Sequence, residues 1–427
     1  MVEQVSSLKT GVKYKDTPIG KIPVDWEVLC LKNIAAEFNN GGTPDTKNRD
    51  YWNGTIPWIT GADFENQKVK MIRRHITTEG VKSSATNVIP KGNLLIVTRT
   101  GVGKVAIAPF DIAISQDITG VILDSQKASA EFVYWYLNFI SSKLKSAIQG
   151  TSINGLLRND LEEIGLPLPF IEEQKKIAEI LTTVDEAIEK TAQVIETTKE
   201  VKKGLMQKLL TRGIGHKKFK KTEIGETPIE WEVRRLGDLC NGQPEYGANV
   251  SSIDKDKSLP RYIRITDITE DGKLLEATWQ SIKREFAQPY ILEEGDFLFA
   301  RSGATVGKTY LYRNKDGECA FAGYMIRFKP NPKQLLPKFL FQYTHSNFYY
   351  NWVKGILRAG AQPNINAQEY FNMPLPKPPI NEQKQIVEIL SSVDEELEKE
   401  SNHKEYLELL KKGLMQVLLT GKIRVKP

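Results

Sequence analysis

EQKKIAEILTTVDEAIEK, Glu173–Lys190, and EQKQIVEILSSVDEELEK, Glu382–Lys399, align without a gap at an offset of 209 residues. In the same register KKGLMQKLLT, Lys202–Thr211, meets KKGLMQVLLT, Lys411–Thr420. Working outward, IGKIPVDWEV, Ile19–Val28, matches IGETPIEWEV, Ile224–Val233, and GNLLIVTRTGVGK, Gly92–Lys104, parallels GDFLFARSGATVGK, Gly295–Lys308. Matches in the same order at nearly the same spacing define an internal duplication. The helical parts are nearly copies, whereas Asn39–Asn87 and Gly242–Gln288 have drifted far apart. Two helices with one shared task and two domains that recognise different things fit that contrast.

Ile177, Ile180, Leu181, Val184, Ile188, Ile195, Val201, Leu205 and Leu209 form an apolar stripe in the first copy. Ile386, Ile389, Leu390, Val393, Leu397, Leu407, Leu410, Leu414 and Leu418 form it in the second. Spacings of three and four make a seam for another helix. Glu173–Leu210 as one helix spans roughly 57 Å at about 1.5 Å per residue, too long to bury its stripe alone. The second stripe is the expected partner, giving an antiparallel intramolecular pair. Packing within separate domains and homodimerisation are the alternatives. Prolines in LPLPFIEEQ, Leu166–Gln174, and MPLPKPPINEQ, Met373–Gln383, set extended approaches to acidic first turns. Between the helices, short apolar runs at Leu94–Val97, Val105–Ala108 and Phe297–Phe299 read as strands, with late helices at Ala130–Ser146 and Pro337–Lys354. The fold class is therefore α+β, with two mixed, β-rich domains, two long antiparallel helices and a pseudo-two-fold duplication.

The 427 residues are 40% hydrophobic and 26% charged, enough for several cores. No run of 18 apolar residues suggests a membrane span, and the polar, lysine-bearing Met1–Lys15 argues against secretion. Cys30, Cys240 and Cys319 are isolated and suit reduced thiols in a cytoplasmic protein, and four scattered histidines give no metal-ligand spacing. The net charge is +6. Lys199–Lys221 concentrates nine Lys and Arg against Glu200 alone, which fits either a solvated linker or a phosphate-facing surface.

Gly303-Ala304-Thr305-Val306-Gly307-Lys308-Thr309 resembles a phosphate loop but has three residues between its glycines where a Walker A loop needs four. The first copy, Gly101–Val105, has one, and Tyr310-Leu311-Tyr312 reads as a strand where a helix is needed. An amino-methyltransferase motif fails at Pro378-Pro379, which lies between Lys377 and Ile380. No catalytic set and no bound cofactor or metal is expected of this chain.

The drifted domains suit DNA. In the first, Lys68, Lys70, Arg73, Arg74, His75, Lys82, Arg99 and Lys104 surround Thr60, Asp63 and Gln116. In the second, Arg261, Arg264, Lys283, Arg284, Arg301 and Lys308 surround Thr266, Asp267 and Gln280. Arginine pairs bidentately with guanine and glutamine with adenine, whereas lysine mostly neutralises phosphate. Arg99 and Arg301 stand out because each copy has an arginine just before its glycine turn. Trp26 and Trp231 read as core anchors.

With its paired IGxxPxxW openings, Arg-Thr/Ser-Gly turns and LPLP…EQ…I..IL..VD…KKGLMQ..LT helices, the chain resembles the specificity subunit of Type I restriction-modification systems. The likeness covers about Thr17–Arg424. It implies target-recognition domains at 17–169 and, with the basic linker, 214–378, and spacer helices at 170–213 and 379–424. Each domain is then expected to read half of a bipartite DNA site. The helices, including Lys202–Leu210 and Lys411–Leu419, are expected to set the spacing and dock two modification subunits. S-adenosylmethionine, ATP and magnesium belong, on that resemblance, to the modification and restriction subunits. The rival readings are a nucleotide hydrolase built on Gly303–Thr309 and a coiled-coil scaffold that never touches DNA.

Overall fold

The computed structural model describes residues 13–65, 67–142, 156–357 and 363–426. The chain divides into two compact units, Met1–Ala192 with Asn402–Pro427, and Gln193–Ser401. Each unit combines the beginning of one long helix with the end of the other.

The first unit opens on an antiparallel hairpin, Tyr14–Thr17 with Gly20–Pro23. Gly20 closes its turn at φ +116 with open space where a Cβ would stand, so backbone conformation, not crowding, requires glycine there. A four-stranded sheet follows in the order Val105–Ile107, Leu94–Val97, Ile118–Leu123, Ala35–Asn40. A second runs Arg74–Ile76, Trp52–Ile59, Ile112–Ile114, Val88–Ile89, with the two middle strands parallel. The Leu94–Val97 run is buried throughout, as a strand covered on both faces must be. A helix at Ala130–Phe139 packs beside it, and the expected continuation over 143–146 lies outside the described residues.

The second unit repeats this plan. Its hairpin pairs Phe219–Thr222 with Gly225–Pro228. Its main sheet runs Thr309–Leu311, Phe297–Ala300, Met325–Phe328, Glu245–Tyr246, and Arg261–Ile263 pairs in parallel with Cys319–Phe321. The helix expected over Pro337–Lys354 is two, Pro337–Thr344 and Asn347–Ile356, because Ser346 caps the second by accepting the Tyr349 N–H at 3.4 Å. Strand Thr309–Leu311 follows the Gly303–Thr305 turn, where a phosphate loop would need a helix.

The long helices run Ile171–Arg212 and Ile380–Leu418. In the first unit, Ile177 and Leu181 share a core with Leu418, Leu419 and Trp26. Asp185 pairs there with Lys411 while Glu173, earlier in the chain, pairs with Arg424, later in it, so the helices are antiparallel. In the second unit, Met206, Leu209 and Leu210 pack with Ile386, Leu390 and Trp231. Lys202 lies 2.6 Å from Asp394, the duplicate of the Lys411–Asp185 pair. Each fully buried Leu or Ile in these cores contributes about 1.5–3 kcal/mol. The stripe is narrower than its spacing implies: Val201, Ile389 and Leu410 are exposed. Trp26 and Trp231 are core anchors, both fully buried.

The repeated Glu-Gln dipeptide has a physical explanation. Gln174 donates to the carbonyls of Pro169 and Lys127 and accepts the Ser129 N–H. Gln383 does the same with Pro378, Gln334 and Leu336. Each buried amide therefore fastens the start of its helix to the domain before it. The neighbouring carboxylates take the indole N–H of the buried tryptophans, Trp26 to Glu173 and Trp231 to Glu382. Each also meets a basic side chain from the segment that follows the end of the other helix. That group is Arg424 on Glu173 and His216 on Glu382.

Candidate nucleic-acid interface

The two drifted stretches fold alike. The parallel pairing sets Trp58 and Ile59 beside Ala113 and Ile114, and Tyr262 and Ile263 beside Ala320 and Phe321. Trp58 donates its indole N–H to the Gly42 carbonyl at 3.0 Å, and Tyr262 donates its hydroxyl to the Ala248 carbonyl at 2.6 Å. A loop follows each strand and is closed by a buried aspartate. Asp63 accepts the Thr60 N–H at 2.8 Å, its hydroxyl at 2.9 Å, and Arg73 Nε. Asp267 accepts the Arg264 N–H at 2.8 Å and its guanidinium at 2.8 and 3.0 Å. Burial pushes the Asp63 carboxyl up, but hydrogen bonds from Arg73 and Thr60 outweigh it and hold the group below its ordinary value. Thr60, Asp63, Arg73, Arg264 and Asp267 thus shape the loops, and Thr266 is the exposed side chain of the second.

The lysines of the glycine turns brace the same loops. Lys104 Nζ donates to the carbonyls of Gly61 and Phe64, and Lys308 Nζ donates to that of Ile268 and lies 2.9 Å from Glu270. Both ammonium groups are engaged within their own domains. Arg261 is 97% buried, bonded to Glu276 and the Leu275 carbonyl and stacked on Trp279, so it too belongs to the interior. Arg284 holds Glu318 and the Ser258 carbonyl, beside exposed Lys283. Arg74 is exposed, with its guanidinium 5.2 Å above Trp58.

Arg99 and Arg301 are not equivalent, which corrects the pairing suggested by their glycine turns. Val97 N–H bonds to the Lys104 carbonyl, and Ala300 N–H to that of Lys308. The carbonyl of Thr98 accepts the Leu156 N–H, and that of Arg301 accepts the Ile365 N–H. Arg301 therefore occupies the place of Thr98, and Arg99 matches Ser302. Matching Arg99-Thr100-Gly101 to Arg301-Ser302-Gly303 on their shared Arg and Gly sets an offset of 202, one residue short of the 203 that separates Val97 from Ala300. One step along an extended chain turns a side chain to the opposite face.

Different side chains gather at one common place on the two domains. In the first, the Thr98 N–H reaches the Asp117 carbonyl at 2.8 Å, and exposed Gln116 adjoins that bond, while Arg99, also exposed, is the next residue along the chain. Thr43 donates its hydroxyl to Gln116. In the second, the Arg301 N–H reaches the Tyr324 carbonyl at 3.0 Å. Around it opens a concavity of about 640 Å³ lined by Tyr246, Asn249, Arg301, Tyr324 and Asn364 among others. Sequence reasoning found Arg99, Gln116 and Arg301 but missed the two tyrosines and two asparagines. Tyr246 and Asn249 were signalled only by membership of a drifted stretch, Asn364 lies in the segment after Asn347–Ile356, and Tyr324, between the strands Cys319–Phe321 and Met325–Phe328, carried no signal.

Among the described residues no cluster of three or more His, Cys, Asp or Glu could hold a metal ion, and no helix is long and apolar enough to cross a membrane.

The profile of the Type I restriction modification DNA specificity domain matches residues 23–199 and again 228–408. The Type I restriction enzyme MjaVIII specificity subunit of Methanocaldococcus jannaschii is 29% identical over 95% of both chains. The putative MjaX specificity subunit of the same organism is 30% identical over 97% of both. Among solved structures, the Type I restriction-modification S subunit from M. genitalium superposes with a TM-score of 0.61 over 99% of both chains, at 14% identity. The doubled profile and near-complete coverage agree with the duplicated architecture, and the chain belongs to the family of Type I restriction-modification specificity subunits.

Proposed function

We propose that this chain reads a two-part duplex DNA site, one half per globular domain, while its long helices hold the spacing and dock two modification subunits. The observation that carries the reading is the common place on the two domains. The same strand pairing and loop closure present Gln116 and Thr43 in one and Arg301, Asn249 and Tyr324 in the other. A shared scaffold with different donors and acceptors suits two different base sequences, because base edges in the major groove are told apart by their hydrogen-bonding patterns. Exposed Arg74 and Lys283, and the lysines of Lys199–Lys221 outside the Lys202–Asp394 pair, supply charge for phosphates. The complex acts in the cytoplasm. S-adenosylmethionine, ATP and magnesium are bound by the modification and restriction subunits, which carry the chemistry.

The test is a methylation-protection assay with the purified chain and its modification subunits. Protection of a gapped two-part sequence, weakening steeply with salt, supports the reading. Protection without sequence preference contradicts it.

A further inference from the structure

Arg301 is the most completely pre-set side chain in the concavity of the second domain. Its guanidinium lies 4.8 Å from the Tyr246 ring centroid, and its Nε donates to Asn364 Oδ1 at 3.4 Å. Tyr246 is fixed in turn, its hydroxyl accepting the Ala367 N–H at 3.1 Å. The Asn364 backbone is tied to the same strand by its bridge to Ser302. The Tyr246 ring under the guanidinium and the Nε bond to Asn364 together restrict how the group can turn. Among the described residues neither Nη is hydrogen-bonded or ion-paired, unlike the guanidiniums of Arg261, Arg264, Arg284 and Arg327, which are committed to carboxylates. Asn249 and Tyr324, exposed on the rim, have no side-chain hydrogen bond among the described residues.

A planar fork with two free NH2 ends, held before the ligand arrives, can aim one N–H from each at two acceptors side by side. In the major groove that pair is the O6 and N7 of guanine, whereas adenine offers N7 beside a donor and so repels one of the two N–H groups. A phosphate also accepts a fork, but a phosphate contact needs no asparagine and tyrosine edges around it. The equivalent place in the first domain holds Thr98, buried, with its hydroxyl 3.4 Å from the Asp117 carbonyl. That domain has no fork in this position.

We infer that Arg301, stacked on Tyr246 and oriented by Asn364, reads a guanine in the half-site of the second domain, and that the first domain has no counterpart to this contact. The inference rests on the DNA-reading role proposed above and names one base of its target. Lysine at 301 keeps the charge but lacks the fork, so Arg301→Lys separates base reading from phosphate neutralisation.

The experiment measures binding of the assembled modification complex, wild type and Arg301→Lys, to duplexes in which each base pair of its methylated site is replaced in turn. Wild type is expected to lose about 10–100-fold in affinity when one G·C pair in one half-site is replaced. Arg301→Lys is expected to tolerate every base at that pair while discriminating normally at all others. Tyr246→Leu, which removes the stacking plane, is expected to weaken discrimination at the same pair. Uniform weakening of all duplexes by Arg301→Lys makes the contact a phosphate contact and overturns the inference, as does unchanged discrimination. Absence of any two-part preference in the wild-type complex defeats the underlying DNA-reading role instead. A complex that fails to assemble with Arg301→Lys, shown by gel filtration, makes Arg301 a folding residue and also overturns the inference.

Discussion

Glu173 accepts two hydrogen bonds from the Arg424 guanidinium, at 2.8 and 2.7 Å, with the arginine drawn from the tail beyond the second helix and the glutamate from the start of the first. Arg424 also reaches both oxygens of Asp25 at 2.8 Å, so one guanidinium closes the first unit. In the second unit His216, between Glu382 and Glu230, stands in the same relation to its helix start. The specificity subunit thus fastens the ends of its helices by duplicated carboxylates, and these junctions make the first predictions.

Glu173→Ala removes one of the two carboxylates that hold Arg424, leaving Asp25, and leaves the Trp26 indole without an acceptor. The expected loss is about 2 kcal/mol, because hydrogen bonds to charged groups are worth roughly 1.5–3 kcal/mol each and Arg424 is partly screened by solvent. Urea unfolding monitored by tryptophan fluorescence reads it as a lower midpoint at unchanged slope.

The hydrogen bond from Arg424 holds the Asp25 carboxyl below its ordinary value of 3.8. A carboxyl depressed in the folded state contributes stability above its unfolded value and loses it as pH falls through the folded one. Wild type is therefore expected to exceed Asp25→Asn in stability at pH 7. The difference shrinks below pH 3.8 and vanishes in stronger acid. Paired unfolding curves across that range check the sign.

Gln383→Ala strands the buried Pro378 carbonyl, the half-buried Gln334 carbonyl and the Leu336 N–H at once. A loss of about 2–4 kcal/mol is expected from the desolvation of unsatisfied polar groups. Gln383→Glu is expected to recover little, since a carboxylate cannot donate to the Pro378 and Gln334 carbonyls. Thermal unfolding of both variants decides.

Lys104→Met and Lys308→Met remove loop braces. The expected result is a stability loss of about 1–2 kcal/mol per site, with the salt dependence of DNA binding by the modification complex unchanged. A shallower salt slope would instead make either lysine a phosphate contact.

The duplication, the long helices, the extended Pro-flanked strands and the tryptophan anchors were legible in the sequence because periodicity and self-similarity encode them directly. The Glu-Gln dipeptide was visible as a repeat, but apart from Pro169 and Pro378 its described partners lie 45 or more residues away and only the fold names them. The likeness of Trp58–Asp63 to Tyr262–Asp267 was hidden because different side chains make the same bonds, an indole N–H in one domain and a phenol in the other. The equivalence of Arg99 and Arg301 was a false reading for a related reason. The shared Arg-x-Gly pattern is one residue out of step with the strand before it, and backbone hydrogen bonds reveal the true register. Lys104, Lys308 and Arg261 looked like surface cations, and three-dimensional partners turn them inward.

The most direct test of the two-domain account is single-molecule sequencing of methylated adenines in a host carrying only this chain and its modification subunits. The account predicts methylation at one motif made of two specified halves separated by a fixed unspecified gap. Methylation at a continuous motif, or at adenines with no common sequence, would contradict it.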